Sequence, residues 1–168
     1  MTEIKKKSSL LEVALFYGIL LALLRVGVDV LLKVMDVSSM TYYLGYVIGF
    51  VLEIIIVIVA IKAYRKNNDG LLSFIEAIKI GMIALILTGI AFFAGQMLFD
   101  PDFAGRKAVE MVEKMNPEQL QATIDQIEEA KNNPKYLFSL AMTILYFTFI
   151  GFVISAIAGA ALKKSKED

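Results

Sequence analysis

Four long apolar runs constrain this chain more than anything else in it: about Leu10–Met35, Tyr42–Ile61, Phe74–Phe99 and Tyr136–Leu162. Crossing the hydrocarbon core of a bilayer takes about 20 mainly apolar residues at ~1.5 Å rise each, and every run meets that length. In lipid each backbone N–H and C=O must be paired within its segment, so runs of this kind fold as helices. A transmembrane barrel would show shorter segments alternating apolar and polar side chains. The stretch Ile54-Ile-Ile-Val-Ile-Val59 is β-branched and would read as a buried strand in water, but the long apolar context overrides that reading. The expected fold class is therefore an all-α integral membrane protein. It has four transmembrane helices in an antiparallel bundle and forms a single membrane domain over residues 1–168.

The N-terminus needs separate treatment. Lys5-Lys6-Lys7 followed by Leu10–Leu24 has the basic and apolar parts of a secretory signal. The apolar stretch, however, carries Glu12, continues through Arg25 to Met35, and ends in no small-residue cleavage site. An uncleaved first span is expected.

Composition removes several classes of chemistry. The chain has no cysteine and no histidine, so thiolate chemistry, the commonest metal ligand and the commonest general base are all absent. Its formal net charge is zero, which gives no general attraction to nucleic acid. No phosphate loop, dinucleotide fingerprint or serine–lysine pair appears, and Ser139 and Ser155 have no base to activate them. A protein that is not an enzyme and needs no cofactor is expected.

Charge asymmetry sets the orientation. With four spans the two termini share a side. That side collects Lys5, Lys6, Lys7, Lys62, Arg65, Lys66, Lys163, Lys164 and Lys166. The opposite side has the base-free loop Asp36–Thr41 and the long connection Asp100–Lys135, whose basic residues are outnumbered by its acids. By the positive-inside rule both termini are cytoplasmic. Tyr42, Tyr43, Phe99, Phe103 and Tyr136 fit the outer interface, and Tyr64 and Phe74 the inner one.

The long connection carries its own helical signals. All three prolines follow Asp or Asn, in Asp100-Pro101, Asn116-Pro117 and Asn133-Pro134. Such pairs suit an N-cap followed by proline at the first helical position. They predict helices over about Pro101–Met115 and Pro117–Lys131, with Gln119 at a capping-box position, and a third start that opens the fourth span. The first two form an extracytoplasmic helical hairpin over about 101–131.

Seams of small residues run along the spans: Gly45 and Gly49 in the second, Gly81 and Gly95 in the third, Gly151 and Gly159 in the fourth. Small residues let membrane helices approach closely, within the bundle or against another subunit. Ionisable groups inside the spans are the functional candidates by default, because charge is costly there. Arg25, Asp29 and Lys33 share one face of the first span, and Glu53 interrupts the second. Arg25 and Glu53 fall at similar depth across a short antiparallel connection, so they are expected to touch. Asp29 is an alternative or additional partner for Arg25. Glu12, Glu76 and Lys79 lie near the cytoplasmic ends, where long side chains reach the interface. Ser73 is a candidate N-cap for the third span, with Glu76 in its first turn. Asp100 and Asp102 read as capping residues.

A series of short motifs carries a family resemblance: Ile61-Lys-Ala-Tyr-Arg65, Asp69-Gly70, Ser73-Phe74, Glu76-Ala77, Gly81, Asp100-Pro101-Asp102-Phe103, Met111-Val-Glu-Lys-Met115 and Asn133-Pro134. Together they resemble a bacterial membrane family catalogued as domain of unknown function number forty-one ninety-nine. The resemblance covers most of the chain after the first span. It implies a four-span protein of the bacterial inner membrane and implies no activity. The expected function is a non-enzymatic structural or partner-binding component of the envelope, in contact with the bilayer and with either a second copy or another envelope protein. The alternative is a small oligomeric transporter or ion-responsive protein using Glu53 and Arg25.

Overall fold

The computed structural model describes residues 9–164. Lys5, Lys6, Lys7 and Lys166, used above for orientation, lie outside the described residues. Six α-helices follow one another: α1 (Leu10–Val34), α2 (Ser39–Asn67), α3 (Phe74–Leu98), α4 (Phe103–Met115), α5 (Leu120–Asn132) and α6 (Tyr136–Leu162), with a 3-10 turn at Pro117–Gln119 between α4 and α5. Four of them, α1, α2, α3 and α6, are long and apolar enough to cross a membrane. The chain is a helical, multi-pass membrane protein.

Local chemistry fixes the helix ends. Ser9 and Glu12 close a capping box on α1, and Ser73 and Glu76 close one on α3. In each, the hydroxyl accepts from the glutamate N–H while the carboxylate accepts from the serine N–H. Both acids are therefore tied to the start of a helix, and Glu76 also accepts from the Tyr64 hydroxyl at 2.7 Å. Ser38 caps α2, accepting from Thr41 N–H at 3.3 Å.

The second span is longer than its apolar run. Helix α2 starts at Ser39 and continues past Ile61 to Asn67. Hydropathy marks where lipid ends, whereas the helix persists through Lys62–Lys66 because those residues are good helix formers. It stops at Asn67-Asn68-Asp69-Gly70, where Gly70 takes φ +81° and its N–H reaches Arg65 C=O at 2.9 Å.

The Asx-Pro pairs behave less uniformly than expected. Only Asn116-Pro117 places proline in a first helical turn, and there the asparagine side chain makes no cap bond. Asp100-Pro101 forms a turn before α4, and Asn133 caps the end of α5, with α6 starting at Tyr136. Asp100 is instead engaged by the Arg106 guanidinium (3.0 and 2.6 Å), and Asp102 pairs with Lys131 at 3.3 Å. A nearby guanidinium and ammonium engage these carboxylates, in place of a cap on the first turn of α4.

Helix α3 is the centre of the bundle, packed between α1 and α6, while α2 touches α1, α3 and α6. The glycine seams face into the bundle. A Cβ at Gly81 would meet the Ser155 side chain, and one at Gly151 would lie 2.8 Å from Gly81 C=O. One at Gly159 would lie 2.7 Å from Ala77 Cβ, and one at Gly95 3.1 Å from Val26. Gly45 faces Leu32, and Gly49 faces the Arg25 guanidinium. These close approaches give van der Waals contact where lipid supplies no hydrophobic driving force.

Each end of the bundle is tied. At the end holding both termini of the described chain, Leu72 and Lys164 exchange backbone hydrogen bonds of 3.1 and 2.9 Å. At the other end α4 is fastened to α2: Phe103 is buried with its ring 5.1 Å from that of Tyr42. Lys107 joins Asp36 (3.0 Å) and Glu110 (3.3 Å) there.

Candidate functional site

Arg25 of α1 and Glu53 of α2 meet inside the bundle, with Nε 3.3 Å from Oε1. Both are buried, at 5% and 1% exposure. Glu53 starts deeper than the apolar run suggested, because α2 begins at Ser39. It lies fourteen residues from that end (53 − 39), and Arg25 nine from the end of α1 (34 − 25). At ~1.5 Å per residue the five-residue offset is about 7.5 Å. Side-chain direction closes it. Helical side chains lean toward the helix N-terminus, so Arg25 leans away from the α1–α2 connection and Glu53 toward it, and the two meet. Gly49, one turn from Glu53, leaves the space that the guanidinium fills. The guanidinium also lies over the rings of Phe92 and Tyr46, at 4.7 and 5.3 Å from their centroids.

The same direction rule separates Asp29 from Arg25. Lys33 leans back onto Asp29, giving Nζ–Oδ2 2.9 Å, while Arg25 leans away. Asp29 therefore belongs to a second cluster, with Lys33 and Gln96 in place of the expected Arg25. Gln96 Nε2 donates to Asp29 Oδ1 at 2.8 Å. Lys33 donates to Gln96 Oε1 at 3.0 Å and to Phe99 C=O at 2.8 Å. Both carboxylate oxygens and the ammonium have partners. Gln96 and the burial of Lys33 were not read from the sequence. Only the packing of α3 against α1 brings them together.

The Arg25–Glu53 pair is satisfied less well. Among the described residues, Glu53 Oε2 is buried without a hydrogen-bond partner, and Arg25 Nε faces Glu53 Oε1 at 3.3 Å as an ion pair without hydrogen-bond geometry. Beside them lies a cleft of about 340 Å³ lined by Tyr46, Phe50, Phe92, Thr143, Tyr146 and Phe147, among others. Its wall on α6 opens outward: Met142 and Tyr146 are 49% and 53% exposed. The cleft thus joins the exterior of the spanning region to a buried ion pair.

Closer to the α4 end, Tyr42 and Tyr46 share a hydroxyl–hydroxyl contact of 3.0 Å. The α4 fastening follows. Glu110 accepts from Lys114 at 2.7 Å and from Ser39 N–H at 3.3 Å. The Lys114 bond first, then the Ser39 bond, pulls its carboxyl down to about 2. Hydrogen bonding to Asp36 raises the Lys107 ammonium, and the Arg106 hydrogen bond lowers Asp100. No group of three or more potential ligands able to hold a metal ion occurs among the described residues.

Four membrane-length helices together with the motif residues at these helix ends point to one family, and its model covers almost the whole bundle. The chain belongs to the family described as "Protein of unknown function (DUF4199)". The match runs over residues 13–164, taking in most of α1 and all later helices. No curated protein and no solved structure matches the chain. The residues that carry the resemblance do structural work here. Tyr64 bonds Glu76, Arg65 Nε donates to Gly70 C=O at 3.0 Å, Ser73 caps α3, and Gly81 admits Ser155. They hold the scaffold, while the cleft is built by other residues.

Proposed function

We propose that this DUF4199 protein is a non-catalytic binding component of a bacterial inner membrane, and that the Arg25–Glu53 cleft is its binding site. The observation that supports this reading is an opening in the spanning region that reaches the buried Arg25–Glu53 ion pair, where Glu53 Oε2 has no hydrogen-bond partner. A pair serving only to fix helix register gains most when every lone pair and proton is satisfied, as in the Asp29–Lys33–Gln96 cluster. Small-molecule sites are mostly apolar pockets with a few convergent polar groups, and this cleft has that composition. Both termini lie on the cytoplasmic side in this proposal, with α4 and α5 outside, as the distribution of lysine and arginine requires.

The test is extraction of small molecules from protein purified in mild detergent, followed by mass spectrometry. A molecule retained by the natural chain and lost from Glu53→Gln and Arg25→Gln supports a ligand site. Equal recovery from all three proteins, or recovery of none, overturns it. Because the chain has no cysteine, single cysteines at Asn67 and Glu118 report orientation through impermeant reagents. Labelling of position 118 from the cytoplasmic side overturns the proposed topology.

A second reading rests on a different surface. Helix α5 has no buried residue, and a broad groove of about 1060 Å³ lies where α5, α4 and the start of α6 meet, lined by Gly105, Ile127, Phe138 and others. A protein partner or a second copy seated on this cap is the alternative role. Affinity capture with Ile127→Asp and Phe138→Asp tests it without disturbing the Phe103–Tyr42 contact.

A further inference from the structure

We propose that the groove beneath α5 holds a membrane phospholipid with a zwitterionic headgroup of the primary-ammonium type, its phosphate on Lys135 and its ammonium on Glu129. This site is separate from the Arg25–Glu53 cleft and stands without it. It gives the groove a lipid where the second reading above seats a protein.

The way α5 is held creates the opening. Helix α5 packs on α4 and on the 3-10 turn before it. Ile127 Cγ2 lies 3.4 Å from where a Gly105 Cβ would stand, and Lys131 pairs with Asp102 at 3.3 Å. No residue of α5 is buried. The groove of about 1060 Å³ lies between α5 and the ends of α3 and α6, which supply Phe93, Met97 and Phe138. Both of those helices are long and apolar enough to cross a membrane. Whatever bathes them reaches the groove, and around a spanning helix that is lipid.

The groove is layered as a phospholipid is. Phe138 lies three residues into the membrane from Lys135 (138 − 135), and Phe93 five residues inside the end of α3 (98 − 93). At ~1.5 Å per residue these depths are about 4.5 and 7.5 Å. Phe138 is 64% exposed, an apolar wall for acyl chains. Lys135 precedes α6 and Glu129 lies on α5, so both charges stand outside the spanning helices, at headgroup level. A partner arriving from water would cover this upper layer and leave the rings to lipid.

The charges select the headgroup. The charged side chains lining the groove are Asp102, Glu129, Lys131 and Lys135, two acids and two bases, so their formal sum is zero. Asp102 and Lys131 pair with each other. Among the described residues, the Glu129 carboxylate and the Lys135 ammonium have no ion-pair or hydrogen-bond partner. One free anion and one free cation match a headgroup that carries one ammonium and one phosphate. A headgroup with phosphate alone would set its negative charge beside Glu129 with nothing to balance it. A trimethylated ammonium keeps its charge but has no N–H for Glu129 to accept, whereas a primary ammonium forms a charge-assisted hydrogen bond.

The experiment titrates the full chain, purified in mild detergent, with phospholipids of identical acyl chains and ethanolamine, choline or glycerol headgroups. Native mass spectrometry reads the lipid retained per protein. Retention of the ethanolamine lipid is expected to exceed that of each other lipid by about five-fold or more. In Glu129→Gln its advantage over the glycerol lipid should fall to about parity, because the charge that attracts ammonium and repels the anionic lipid is gone. Lys135→Gln should weaken retention of all three, since each carries the phosphate. Glu128→Gln, at the neighbouring exposed acid outside the groove, should leave the ranking unchanged. A matching elution profile and helical content verify the fold of each variant. Equal retention of the three lipids, first place for choline or glycerol, or no retention of any overturns the proposal. So does an ethanolamine preference that survives Glu129→Gln. A lipid-free dimer that Ile127→Asp dissociates overturns it in favour of a second copy on this surface.

Discussion

Two buried ion pairs occupy the same face of α1, and they are built to different standards. Asp29–Lys33 is closed: Gln96 and the Phe99 carbonyl take up what the two charges leave over. Arg25–Glu53 has comparable burial and a longer contact, and it leaves Glu53 Oε2 without a hydrogen bond next to a cleft. The closed cluster joins α1 to the end of α3 and has no capacity left for a ligand. The open pair instead faces a cleft lined mainly by aromatic rings. Ionisable residues in a membrane span are suspects as a class. The contrast between these pairs separates a fastening from a candidate site, and it does so by counting partners rather than charges.

The largest effect that sharpens this contrast is expected at the closed cluster. Asp29→Ala strands the Lys33 ammonium among buried groups, a loss of about 3–5 kcal/mol for a pair broken on one side. Denaturant or thermal unfolding in detergent measures it. A loss no greater than that of a surface substitution such as Lys131→Ala would remove the distinction. The open pair should respond less, because its cleft gives the surviving charge a way to be solvated. Arg25→Gln and Glu53→Gln are each expected to destabilise by less than Asp29→Ala. The double replacement Arg25→Met with Glu53→Leu should recover stability, since a buried ion pair exchanged for packed apolar groups is often neutral or favourable. It should also abolish ligand retention. Recovery of both stability and retention would mean that the pair is only a packing device.

The smallest effect lies at the α4 fastening, outside the spans, and depends on pH. Hydrogen bonds from Lys114 and Ser39 hold the Glu110 carboxyl at about 2, below its ordinary value. A depressed carboxyl contributes stability that is present above its unfolded pKa and is lost as pH falls through the folded one. A spin label at Met115, which is 72% exposed, should therefore stay immobile at neutral pH and loosen as pH drops from about 4.5 toward 2. Glu110→Gln should remove that dependence. A label equally mobile at both ends of the range in the natural chain would show that Glu110 does not fasten α4.

Much of this protein is legible in its residues. The four spans, the Ser73 cap and the motifs of the family all follow from local pattern. The Arg25–Glu53 contact follows from connectivity, since a short loop between antiparallel spans limits which residues can share a depth. The errors have local causes too. Helix α2 outruns its apolar stretch because helix propensity and lipid exposure end at different places. The Asx-Pro pattern overstates capping because Arg106, on the first turns of α4, and Lys131, on α5, engage Asp100 and Asp102. Asp29, by spacing an alternative or additional partner of Arg25, pairs with Lys33 instead, because spacing alone treats i−4 and i+4 alike whereas helical side chains lean one way.

By itself, then, the sequence determined the number of spans, their helical form and the presence of charge inside them, because each is imposed by the solvent one segment at a time. Tertiary structure decided which face each seam presents, which partners complete Asp29 and Lys33, and that Glu53 Oε2 and Arg25 Nε stand beside a cleft walled by α2, α3 and α6. Hydrogen-bond completion and enclosed space depend on where several helices come together at once, and no single segment encodes that position.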